Sequence, residues 1–144
     1  MKTLMLLVFA ASGCIKCPDV DGRPEASPAG YPVVAPDSYR LPQMSKGEVM
    51  RLVDLRVAEW ISKKADWNLD NFPDKSLVEY AKSVPIIVYD SDTVPVPGNS
   101  SVRTTGWNQY GCQIRVPIYQ GFGGENMATL PHELTHTVLK DFHK

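Results

Sequence analysis

His132-Glu133-Leu134-Thr135-His136 has the spacing H-E-x-x-H, and that spacing has a mechanical meaning. On a helix, residues four apart lie on one face about a turn apart, so both imidazoles can meet a single metal ion. Glu133 is one step from His132, beside such an ion rather than on it. A general base for a zinc-activated water belongs there. In that chemistry zinc polarises a carbonyl, while Glu133 takes a proton from the water and returns it to the leaving amine. Two histidines four apart also occur as ordinary polar residues of a surface helix. Leu130, Leu134 and Val138 run at i, i+4 and i+8, however, and give this helix a core side away from the histidines.

The helix must start close to Thr129, because Pro131 is tolerated in a first turn and disrupts an interior. Ahead of it, Gly121-Phe122-Gly123-Gly124 forms a turn without a phosphate-binding pattern. Gln113 to Tyr119 alternates, with Ile114, Val116 and Ile118 on one side. Pro117 has no N–H, so an edge strand is expected. Such an edge beside the helix would hold an extended peptide by strand addition, or serve as an ordinary proline-protected edge. Val84 to Tyr89 is a continuous apolar run, as in a strand covered on both faces. Asp90 and Asp92 end it in a solvated turn, since no further ligands continue a calcium spacing. A loop follows over 93–101, with a short strand at 102–105.

Further back, Ser45-Lys46-Gly47-Glu48 is a capping box that opens a scaffold helix. Val49, Leu52, Val53, Val57, Trp60 and Ile61 continue it with helical period to about Lys64. A second, shorter helix follows Asn71, with Pro73 in its first turn and Leu77, Val78 and Tyr80 as anchors. From Pro18 to Gln43 the chain holds six of its 12 prolines and predicts an extended tether over 14–44. The alternative is a loop wrapped on the domain through Tyr31, Val33, Val34 and Tyr39.

At 144 residues the chain is one domain at most, and a net charge of −1 offers no basic stripe for nucleic acid. Met1 to Gly13 has the charged start and apolar stretch of a secretory leader. Ala11-Ser12-Gly13-Cys14 resembles the lipobox of bacterial lipoproteins. The resemblance implies cleavage before Cys14, a lipid on that cysteine, and a membrane-anchored domain on the periplasmic or surface side of the envelope. A plain secretory signal is the alternative. Once Cys14 is assigned, Cys17 and Cys112 remain as a pair for a disulfide in an oxidising compartment. Gly111-Cys112 upstream of H-E-x-x-H is also similar to peptide deformylases, where the cysteine is a third metal ligand.

Leu130 to Leu139, around His132, Glu133 and His136, resembles the gluzincin branch of the zincin metallopeptidases, particularly peptidase-MA-like proteins. The likeness spans about residues 84–142. It implies an α+β fold over 45–144: a scaffold helix, a small mixed sheet with an edge strand, and the H-E-x-x-H helix, as in a zincin upper subdomain without its C-terminal subdomain. It implies zinc on His132 and His136, with Glu133 as base. Gluzincins take their third ligand from a glutamate twenty or more residues further on, whereas this sequence ends at Lys144. In the metzincin spacing the third ligand falls on Phe142, with Leu139 in the place of a glycine. His143 becomes a third ligand if the helix unwinds near Lys140; on a continuous helix it would lie about 10 Å along from His136. Tyr110 and Tyr119 are candidates for oxyanion stabilisation or for the core. The expected function is a zinc-dependent metallopeptidase acting on peptide or protein substrates. The alternative is a catalytically inactive envelope lipoprotein that keeps a zincin remnant as a binding or structural module.

Overall fold

The computed structural model describes residues 17, 20, 22–35, 45–119 and 125–140. Cys14, the leader at 1–13, the Gly turn at 121–124 and His143 lie outside the described residues. In chain order the elements are β1 (Glu25–Ala26), β2 (Pro32–Val34), α1 (Lys46–Ser62), a 3-10 turn (Lys64–Trp67) and α2 (Asp74–Lys82). β3 (Ile86–Tyr89), β4 (Val94–Val96), β5 (Asn99–Thr104), β6 (Trp107–Gln109), β7 (Gln113–Pro117) and α3 (Leu130–Val138) complete them. The fold is α+β: among the described residues, three helices lie against a mixed sheet of order β1-β2-β3-β7-β6.

α1 begins where its cap predicts, with the Ser45 hydroxyl accepting the Glu48 N–H. It buries Val49, Met50, Val53, Val57 and Trp60. These meet Leu77 and Ala81 of α2, Leu130 and Leu134 of α3, and one face of the sheet formed by Val33, Ile86, Val88, Ile114 and Val116. β2, β3 and β7 run parallel, while β1 and β6 close the two edges antiparallel. β3 is buried on both faces, as its unbroken apolar sequence requires. A separate hairpin, β4–β5, is fastened to β7, where Arg115 Nη1 donates to the Pro95 carbonyl at 2.7 Å.

Two expectations are corrected. The strand containing Pro117 is not an edge: β7 lies between β3 and β6. Ile114 and Ile118 donate their N–H groups to Pro85 and Tyr89, so by alternation the Pro117 nitrogen faces the β6 side. β6 pairs only with Gln113 to Arg115 and stops before reaching it. The missing donor therefore falls where there is no ladder. Among the described residues, the edge beside α3 is β6.

The second correction concerns the tether. Residues 25–34 belong to the domain: Val33 and Val34 pair with Ile86 and Ile87, and Tyr31, Val33 and Val34 are buried. Asp54 on α1 accepts the Ala29 N–H at 2.9 Å, and Lys46 forms an ion pair with Glu25. Two β-branched residues against the open edge of β3 outweigh the flanking prolines. Val33→Ala should therefore lower the free energy of unfolding by about 2 kcal/mol in urea titration, whereas a tether position would leave it unchanged.

Candidate metal centre

α3 carries two functions on nine residues. Leu130 and Leu134 are fully buried in the core, which turns His132, Glu133 and His136 toward the β6 edge. Pro131 occupies the first turn, so the missing N–H breaks no helical bond. The helix is held from both sides. Trp60 Nε1 of α1 donates to Thr135 Oγ1 at 3.0 Å, and Thr135 in turn donates to the Pro131 carbonyl. From the sheet edge, Asn108 Nδ2 donates to the Glu133 carbonyl at 2.7 Å and to Thr137 Oγ1 at 2.8 Å.

The result is a cleft of about 390 Å³ between β5–β6 and α3, lined by residues 104–108, His132, Glu133, His136 and Lys140. One donor atom from each of His132, Glu133 and His136 lies within 4.8 Å of the others. The two imidazole centroids are 5.0 Å apart, and Trp67 of the 3-10 turn meets the His132 ring edge-on at 6.3 Å. His136 Nδ1 lies 3.2 Å from the Lys140 carbonyl. A carbonyl can only accept, so Nδ1 is the donor in this bond, and in the neutral ring Nε2 then keeps its lone pair. This is the outer-shell bond that orients a metal-binding histidine.

Glu133 is 6% exposed, and burial pushes its carboxyl up to about 7. The carboxylate lies against the backbone of Gly106. A Cβ there would come within 2.6 Å of Glu133 Oε2, so the glycine makes the space that the acid occupies. Two imidazoles and a carboxylate, gathered in an open cleft, could hold a metal ion. Among the described residues these three form the one such cluster.

The structure brings together His132, Glu133 and His136, as their spacing implies. It does not bring in Cys112, which is bonded to Cys17 with a Cα–Cα distance of 5.3 Å. The deformylase-like ligand role is thereby excluded, and the disulfide forms between the two cysteines that the count left over. Tyr110 and Tyr119 are not among the residues lining the cleft. Gly106, Asn108, Trp67 and Lys140 were not marked by any motif. Asn108 and Gly106 act on α3 from about 25 residues upstream, and nothing local in sequence signals that. The chain matches no family model, no curated protein and no solved structure.

A raised carboxyl pKa means that the folded state favours the protonated acid. In the metal-free protein this contribution is fully present below about pH 4.5 and is lost as the pH rises through about 7. Glu133→Gln removes the ionisation. The metal-free variant should exceed the parent in unfolding free energy by on the order of 3 kcal/mol at pH 8, with the gap closing by pH 4. Denaturant titrations in chelator at both pH values measure it; an equal gap at both would assign the effect to packing.

Proposed function

We propose that the chain is a zinc-dependent metallopeptidase-like lipoprotein of zincin type. The observation that carries this reading is the buried Glu133 carboxylate, set beside two imidazoles in a cleft walled by the edge strand β6. His132 and His136 hold the ion. Zinc there supplies a Lewis acid that polarises a carbonyl and acidifies water. Glu133 needs to accept a proton and give it up again; in the metal-free protein its carboxyl stands at about 7, and an adjacent cation would lower it. Burial raises it, and Gly106 and the Asn108 clamp fix its place. The outer edge of β6 offers backbone groups to an extended peptide, so the cleavable substrate is a peptide or protein segment laid along Trp107 to Gln109.

The third protein donor is assigned to His143. α3 ends at Val138, and Leu139 is extended at φ −113° and ψ 101°, so the helix does not carry the chain straight away from the site. The Lys140 carbonyl lies back against His136, and His143 follows three residues later. The same reading places the protein outside the cytoplasm, anchored through lipid on Cys14. The alternative, an inactive module, is favoured by one observation: the described residues supply only two imidazoles and the adjacent acid.

Zinc titration with the mature chain separates the two readings. Tight one-to-one binding that His143→Ala weakens, and that His132→Ala abolishes, is expected for a site closed within this chain. Weak binding in both the parent and His143→Ala would leave an open two-histidine remnant.

Peptide hydrolysis gives a further test. Glu133→Gln should keep the metal and lose turnover. Gly106→Ala, which displaces the carboxylate by a methyl group, should cost about 10²-fold in rate with zinc stoichiometry unchanged. Full turnover by Glu133→Gln would sink the assignment of the base.

A further inference from the structure

We infer that the β6–β7 turn, Tyr110-Gly111-Cys112, is the end of the domain that rests on the bilayer, and that the Cys17–Cys112 disulfide sets this orientation. The inference rests on the reading of Cys14 as the lipid-bearing residue. Two residues, Ile15 and Lys16, separate Cys14 from Cys17, and the three steps span at most about 11 Å. Cys17 is covalently bonded to Cys112, at the end of the turn that follows β6. The lipid is therefore leashed to that turn through two intervening residues, rather than to the domain by the whole stretch up to β1.

The surface at the turn fits this partner. Tyr110 is 45% exposed, among the few large apolar or aromatic side chains that stand out. Lys140 Nζ lies 5.7 Å from the Tyr110 ring. An exposed phenol beside an ammonium suits the headgroup layer, where the ring meets the acyl boundary and the cation meets anionic lipid. Lys140 also lines the cleft, and β6 leads from the cleft to this turn. The orientation holds the site within about one strand length of the headgroups and presents it to peptide segments at the membrane surface.

The opposite edge of the sheet is the internal reference. The β1–β2 turn is bound to Asp54, and the neighbouring Leu55 is 52% exposed. Four strand spacings, roughly 19 Å, separate β1 from β6. The full chain, produced in a lipid-modifying bacterium, is reconstituted into phosphatidylethanolamine–phosphatidylglycerol vesicles. Photoreactive benzoylphenylalanine replaces Tyr110 in one sample and Leu55 in another, and intact mass of the N-terminal peptide reads acylation. Lipid crosslinking several-fold higher at 110 than at 55 is expected, falling to parity when the disulfide is reduced while acylation persists. Equal crosslinking in acylated, oxidised protein overturns the orientation while leaving the anchor intact. A peptide without acyl chains overturns the anchor, and the orientation with it.

Discussion

A two-turn helix must satisfy two incompatible environments, and most of the described structure follows from that constraint. Leu130 and Leu134 have to be dry, while His132, Glu133 and His136 have to reach a cleft. Nine residues cannot fix their own rotation, since so short a helix is marginal without tertiary contacts. The rotation is set by bonds from outside. Trp60 holds Thr135 from the α1 side, and Asn108 holds Glu133 and Thr137 from the sheet edge. Both reach buried or half-buried polar atoms, where an unmade bond costs more than a made one gains. α1 is thus more than a scaffold, because its last buried residue is one of the two clamps.

The sheet provides the other clamp through its register. β3 and β7 form the parallel centre, and β6 folds back antiparallel on β7 with Trp107 opposite Arg115. This register places Asn108 across from Ile114, two residues past the glycine that faces Glu133 and so on the same side of the strand. A slip of one residue would turn Asn108 to the other face and bring Trp107 toward the helix. Arg115 ties the arrangement together from the far face of the sheet. It donates to Gln113 within β7 and to the Pro95 carbonyl of the hairpin that leads into the cleft wall.

The legible parts of the sequence were those with a local physical signal. The capping box with its apolar period gave α1, the unbroken run gave β3, and the H-E-x-x-H spacing gave the clustering of His132, Glu133 and His136 on α3. The cysteine pair followed from counting. The parts not legible were those decided by partners. Val33 and Val34 lie among prolines and glycine, and only the open edge of β3 makes them a strand. Pro117 pointed to an edge, but the strand carrying it is central because β6 pairs with it, and the proline is tolerated because the three-residue β6 does not reach it. β6 itself, Trp107 to Gln109, is too short for alternation to register. Gly106 is an unremarkable glycine until the Glu133 carboxylate is placed against it.

The end of α3 shows why the pentapeptide motif alone does not make a metal-binding helix. A free imidazole can carry its proton on either nitrogen, and only one tautomer presents Nε2 to an ion. For His136 the choice is made by the backbone at Lys140, which is available because Leu139 leaves the helix in an extended conformation. Had the helix continued, the Lys140 carbonyl would have pointed along the axis into the next turn, away from the His136 ring. The break that ends the helix at Val138 therefore gives Nδ1 a carbonyl to donate to. The donor role of Nδ1 thus depends on a backbone torsion outside the motif, so a substitution at Leu139 that restores helical geometry acts on His136 without changing the motif itself.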